Sequence, residues 1–351
     1  MDRAKSFGII RTVTALLIAF AAAFALIALI SKTPLESIRV FALRPFESKR
    51  YFGNIIENAI PLIFSGLAMS VLFQTNLFNL GGEGVFYISG ALIAPAAIFI
   101  SLPSGVHQSA LIVLGALVGA TVMLIPGFIR AKYNGSELVT SLMLNNMLLG
   151  AGLFLLTGKL RDPLAGAQIS YLFEKTSLLP VIVPGTRIHA GLVIALVCAA
   201  LVYIFLYKTK WGYMLRMTGI NASFAKYSGI NTFAVILMAH ILAGLLFGMG
   251  SAVENIGMHK RFEWSGLPGY GFDGCAIAML AGSNPAGVIG VALFVGYLRI
   301  GADMAARLAD VPTEMISVLQ SLILLLISAE RFLYHFRQRW IEKGAPKGVR
   351  K

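Results

Sequence analysis

The sequence predicts an all-α, polytopic integral membrane protein of about ten transmembrane helices arranged as inverted-repeat halves. Of its 351 residues, 57% are hydrophobic and only 13% charged, and the mean hydropathy is +0.79, too apolar for an ordinary soluble domain. Apolar runs long enough to cross a ~30 Å hydrocarbon core recur along the chain, with no polar block large enough for a soluble domain. Finally, a glycine-plus-acid break recurs in the two halves: "LFNLGGEG" in the first and "LPGYGFDG" in the second.

In chain order the segments are 7–30, 55–74, 85–101, 108–129, 137–157, 188–207, 232–254, 273–283, 285–303 and 312–333. The first follows Arg3 and Lys5 and is longer than the apolar core of a cleaved signal, which makes it an uncleaved first helix. The eighth is short and bounded by Gly and Asn-Pro, so it reads as a half-helix or as a tilted, interrupted span; lipid tolerates either only where the broken backbone is buried or lines a cavity. Small residues four apart, Gly115 with Gly119 and Gly244 with Gly248, signal close helix packing rather than function.

Net charge is +13, from 29 Lys and Arg against 16 Asp and Glu. In a membrane protein this excess marks loops on the cytoplasmic side, not nucleic-acid binding. Basic clusters at Arg130 and Lys132, at Lys208, Lys210, Arg216 and Lys226, and from Arg331 to Lys351 all fall on one side with both termini if there are ten crossings. The basic segment 32–53 then lies on the wrong side. Cys198 and Cys275 sit in or beside apolar segments without partners at metal-ligand spacing and read as small core residues.

Enzyme chemistry is not visible. There is no His-Glu-x-x-His, no nucleophile elbow and no phosphate-binding Gly-x-x-x-x-Gly-Lys-Ser/Thr, so any ATP-driven work needs another chain.

The ten-crossing count places the two glycine-acid breaks toward opposite faces, as inverted repeats would. Paired interruptions of this kind are the best sequence pointer to a translocation pathway. Glu83 reads either as a gating carboxylate or as an acceptor for backbone N–H groups at the start of its own helix. Gly81, Gly82 and Gly84 supply a tight turn and close helix approach, and Asp273 opens its segment in the same way. Intramembrane polar groups are costly and become candidates by default: Asn145 and Asn146, ~100° apart on a helix so that one can face a cavity while the other bridges helices, and His240 and Glu254. Phe78 and Asn79, flanking the first break, pair an aromatic face with an amide, which suits a nucleoside. On the basic side, residues 208–231 contain a short helix from about Asn221 to Tyr227, with Asn221 as N-cap and Gly229 as stop. Such a helix is either a grip for a partner's groove or part of a plain charged loop.

Three stretches, "PLIFSGLAMSVLFQTNLFNLGGEGVFYISGA" at 61–91, "WGYMLRMTGINASFAKYSGIN" at 211–231 and "GLPGYGFDGCAIAMLAGSNPAGV" at 266–288, resemble the permease subunits of ABC importers for simple sugars and nucleosides, within the wider ribose and branched-chain amino-acid permease group. The Gly-Gly-Glu-Gly version resembles the longer of two paralogous permeases that pair in nucleoside importers. The resemblance implies one transmembrane permease domain over 1–351 in a bacterial inner membrane, with cytoplasmic termini and a basic tail at 334–351. It implies a heterodimer with a paralogue, a partner ATPase carrying ATP and Mg, and an extracytoplasmic substrate-binding lipoprotein. The loop 208–231 becomes the coupling element: it keeps Gly219, Asn221, Ala225, Tyr227, Gly229 and Ile230 of the family pattern, departs from it at Phe224 and Ser228, and carries Arg216 as a further candidate for contact with the ATPase. The alternative is a carrier driven by an ion gradient, with Glu83, His240, Glu254 and Asp273 as its ion sites.

Overall fold

The computed structural model describes residues 21–22, 24–29 and 31–309, with isolated positions 312, 318 and 321. Among these residues the chain is helical without a β-strand, apart from two isolated bridges in one loop. The expected last segment 312–333 and the tail 334–351 lie almost wholly outside the described residues, and of the first segment only part of its final turns is described, as helix. Contacts divide the chain into two units, residues 1–47 with 298–351 and residues 48–297.

In the smaller unit a short helix, α1 (Pro34–Leu43), opens with Pro at its first position and Glu36 in its first turn, both favourable at an N-terminus. It is followed by a 3-10 turn, Arg44–Phe46. Phe41 is fully buried, edge-on to Phe24 at 6.1 Å, and its carbonyl meets Gly301, where an added Cβ would lie 2.6 Å away. The basic segment that fits poorly with the charge rule is thus in part a surface helix: Lys32, Arg39, Arg44, Lys49 and Arg50 are all exposed.

The larger unit contains α2 (Lys49–Gln74), α3 (Gly82–Phe99), α4 (Val106–Tyr133), α5 (Glu137–Leu155), α6 (Gly191–Lys208), α7 (Lys210–Ile220), α8 (Ala222–Tyr227), α9 (Thr232–Gly257), α10 (Tyr270–Leu280) and the first part of α11 (Pro285–Leu308). A π-helical turn, Leu156–Leu160, continues α5. Seven helices among the described residues are long and apolar enough to cross a membrane, matching seven expected segments, and α10 is the short eighth. Helix α2 is the hub, with 89% of its apolar window buried, while α5 buries 22% of its own and shows a broad outer face.

The two small-residue pairs find each other. Gly115 and Gly119 of α4 meet Gly248 and Gly244 of α9, where an added Cβ on Gly115 would lie 2.7 Å from the Gly248 carbonyl oxygen. At one end of this unit α7 and α8 connect α6 to α9. At the other, the long connection from α5 to α6 is tied down by backbone bonds from Ser170 N–H to Phe262 O and from Phe173 N–H to Lys260 O, each 2.9 Å.

At 11 residues, α10 is only about 16 Å long, half of a hydrocarbon core, which resolves the eighth segment as a half-helix. It runs parallel to the second half of α2. An added Cβ on Gly274 would lie 2.8 Å from Ser65, one on Gly66 would lie 2.7 Å from Ile277, and Gln74 Nε2 donates to Ser283 O at 3.0 Å. The start of α10 therefore sits beside the middle of α2.

Candidate functional site

Helix α2 ends because Asn76 turns left-handed at φ 56, with Leu77 N–H bonded to Leu72 O and Asn76 N–H to Phe73 O, both at 3.0 Å. This is the Schellman closure, in which Asn can replace Gly. Leu77–Leu80 is non-helical, and its polar backbone needs partners inside an apolar bundle. Helix α5 provides them. Ser141 Oγ accepts from Leu80 N–H at 3.1 Å, and Asn145 Nδ2 donates to Leu80 O at 3.0 Å. Asn145 Oδ1 in turn accepts from Gly84 N–H at 2.9 Å, while Asn79 Oδ1 caps Gly81 N–H at 2.7 Å.

The three glycines face different neighbours. An added Cβ on Gly81 would lie 3.3 Å from Ser141 Cβ, one on Gly82 would enter the Phe247 ring of α9, and one on Gly84 would lie 2.8 Å from Asn145 Cα. They let two helices close on this turn.

Glu83 does not cap its own helix. Fully buried, it reaches across to the start of α10, accepting from Gly269 N–H, from Gly271 N–H at 2.7 Å and from Phe272 N–H at 3.2 Å. Gly269, at φ 89, has no side chain with which to cap the helix; the carboxylate of α3 supplies both the acceptors and the negative charge that a helix N-terminus favours. This corrects the expectation that the two breaks lie toward opposite faces. Because both intervening helices start inside the bundle, the turns meet beside the middle of α2 instead of at its ends.

A second acid holds the same helix. Buried Glu254 of α9 accepts from Tyr270 Oη at 2.7 Å and lies 3.7 Å from His259 Nε2, whose Nδ1 meets Glu263 at 2.5 Å. Burial alone would lower the His259 pKa, but the hydrogen bonds and charges of Glu254 and Glu263 outweigh it and raise the pKa above the ordinary value.

The remaining candidates scatter. Asn146 lies on the exposed face of α5, bonded only along its own helix to Leu142 O at 3.2 Å. Phe78 is half-exposed and stacked on Phe73 at 5.8 Å. His240 is buried, bonded to Ile236 O at 2.9 Å and packed on Gly127 of α4, away from the junction. Asp273 is partly buried in the first turn of α10.

At the α7–α8 end the expected local structure is present. Asn221 Oδ1 accepts from Phe224 N–H at 2.9 Å, and Gly229 has φ 83. Phe224 and Tyr227 are 55% and 92% exposed, whereas Ala225 is buried. Arg216 lies over the Tyr207 ring at 5.2 Å. Gly219 packs on the end of α2, where an added Cβ would lie 3.0 Å from the carbonyl carbons of Gln74 and Thr75. Gly219 and Ala225 are thus internal, whereas Phe224 and Tyr227 lie on the exposed side of α8. Sequence reading passed over Ser141, Gln74 and Tyr270. Ser141 was accessible in principle, being one helical turn from Asn145 on the same stripe.

Seven membrane-length helices among the described residues, with the breaks before α3 and α10 joined through Glu83, mark a polytopic membrane protein. The family described as branched-chain amino acid transport system / permease component matches residues 51–328, and the chain belongs to it. Relatives include the guanosine ABC transporter permease protein NupP of Bacillus subtilis, 27% identical over 300 residues, covering 84% of this chain and 86% of the relative. The glucose ABC transporter permease protein TsgB13 of Haloferax volcanii is 27% identical over 314 residues, 87% and 83% of the two chains. The nucleoside ABC transporter permease protein NupB of Lactococcus lactis is 26% identical over 298 residues, 81% and 80%. In the Bacillus and the Lactococcus a second permease protein, NupQ and NupC, also matches.

Proposed function

We propose that this chain is the permease subunit of an ATP-driven importer for a nucleoside or simple sugar, resident in a bacterial inner membrane with its termini and α7–α8 in the cytoplasm. It contributes half of the pathway and pairs with a paralogous permease, while a separate ATPase carries ATP and Mg and a receptor lipoprotein delivers the solute outside.

The two-sided character of α5 is the observation that supports this most. Its Ser141 and Asn145 stripe is committed to the first break, but Met143, Asn146, Met147 and Phe154 are exposed. An amide on the outer face of a membrane helix is costly against lipid. Against a water-lined pathway shared with a second permease it has a use: hydrogen bonding to a hydroxyl-rich solute.

The ion-driven alternative finds less support. Glu83 spends both oxygens on backbone N–H groups, and His240 of α9 is packed on Gly127 of α4. The test is uptake in liposomes containing this chain, a paralogous permease and the ATPase, with receptor outside and ATP at the ATPase side. Labelled nucleoside and labelled sugar are the two arms. ATP-dependent uptake of either is expected, lost in Phe224→Asp or Tyr227→Asp; uptake by this chain alone under an ion gradient sinks the reading.

A further inference from the structure

The α7–α8 loop and the junction of the two breaks are connected by one continuous set of contacts. Gly219 of α7 rests on the backbone of Gln74 and Thr75. Gln74 bonds Tyr207 of α6 at 3.3 Å and Ser283, beyond the end of α10, at 3.0 Å. From Thr75 the chain leaves α2 through the Asn76 turn into the non-helical Leu77–Leu80, where neither backbone polar group of Leu80 is bonded within a helix: its N–H goes to Ser141 and its C=O to Asn145. Four residues after Asn79 comes Glu83, attached to the first turn of α10. One end of this segment touches the element beside α8, its middle is held by the helix whose outer face carries Asn146, and its far end holds the half-helix.

We propose that segment 75–84 is the transmission element of the transporter, carrying displacement of the α7–α8 loop to α5 and α10, with Ser141 and Asn145 as the positioning residues that make the segment and α5 move as one body. This rests on the reading of the chain as an ATP-driven permease. Helical bonds would have served a merely structural connection. Here the segment instead draws its bonds from α5, so a push at Gln74 and Thr75 is delivered to the pathway helix through two side chains spaced one turn apart. Packed elements with discrete arrangements transmit such displacements.

The test uses the complete importer in liposomes and reads solute taken up per ATP hydrolysed, beside the thermal midpoint of the purified complex. Ser141→Ala removes the acceptor for Leu80 N–H and is expected to lower uptake per ATP about fivefold or more, with ATP hydrolysis retained within about twofold and the midpoint lowered by only a few degrees. Ser141→Thr, which keeps the hydroxyl, is expected to restore the ratio. Asn145→Ala, which removes two bonds, should lower it further. Because that variant can fail to assemble, a second measurement is independent of it. An added Cβ on Gly81 would lie 3.3 Å from Ser141 Cβ, within a few tenths of an ångström of the usual Cβ separation in a disulfide, so a Gly81→Cys, Ser141→Cys pair tests rigid coupling directly. Oxidation should leave at least half of the uptake per ATP of the reduced pair, or raise it. The proposal is overturned if uptake and hydrolysis fall in the same proportion in Ser141→Ala, if the ratio does not change, or if the disulfide abolishes transport and reductant restores it. A wild-type importer with no ATP-dependent uptake removes the underlying reading, and the proposal with it, before any variant is compared.

Discussion

The two glycine-acid breaks look alike in sequence and behave as opposites in the fold. The first, at Gly81–Gly84, is held by side chains from its own stretch and from α5, and it exports a carboxylate. The second, at Gly269–Asp273, begins with a glycine at φ 89, has no side-chain cap of its own, and imports that carboxylate. Similar composition therefore yields one supplier and one recipient. Internal symmetry in a membrane chain identifies the places where helices break, but not which of the two breaks satisfies the other.

Glu83→Ala is the strongest way to break this asymmetry. It strands one buried and two part-buried N–H groups, the buried one at about 1–3 kcal/mol and the others at less, so folded yield in detergent should fall sharply, with a loss on the order of 3 kcal/mol, and Glu83→Gln should lie between it and wild type. Asp273→Ala removes a charge favourable to a helix start, about 0.3–1 kcal/mol, and should cost less than Glu83→Ala. Equal damage from the two would mean that the breaks are equivalent after all.

Next in size is Gly271→Ala. Its Cβ would lie 2.6 Å from Glu83 Cα, and overpacking of this kind costs about 1–3 kcal/mol. A thermal midpoint equal to wild type would show that the turns do not approach as closely as described. Tyr270→Phe removes the hydroxyl from buried Glu254 and should cost about 1–3 kcal/mol, the range for a buried acceptor left without its donor; combined with Glu83→Gln in a double-mutant cycle, it measures whether the two acids hold α10 jointly.

The smallest effect concerns pH. His259 has a raised folded pKa, so its protonated form contributes stability that is complete below the ordinary value near 6.5 and is lost as pH rises through the folded value. Buried His189 has a lowered pKa and works in the opposite sense, so the informative quantity is the difference between wild type and His259→Gln. That gap should be widest in mild acid and close in mild alkali; a gap constant across the range would assign His259 to packing alone.

Much of this architecture is legible in the sequence because lipid enforces it. Long apolar runs become spans, Asn221 caps, Gly229 stops, and the glycine pairs at 115/119 and 244/248 pack closely. What pattern does not give is the partner. Gly115 and Gly119 announce a close approach to some helix, and only the fold makes it α9. Glu83 announces an acceptor for helix N–H groups, and local reasoning assigns it the nearest helix, because the alternative lies far along the chain. Asn145 and Asn146 are adjacent letters with opposite fates, one bracing a turn and the other facing outward, since the helix phase relative to the bundle is a tertiary property. The surface helix α1 was hidden because Arg39 and the basic residues on either side of the helix read as loop charge.

The bond from Glu83 to Gly269 spans 186 positions, and this has a consequence for biosynthesis. When α3 enters the bilayer its carboxylate has no partner yet, and an acidic group near the middle of a membrane costs about 2.5–3.5 kcal/mol on insertion scales. The first half of the nascent chain must therefore wait, incompletely satisfied, until the ribosome has delivered α10. Chains truncated before residue 269 should be removed rapidly by membrane quality control, and Glu83→Leu should slow the loss of that fragment while impairing the full-length protein.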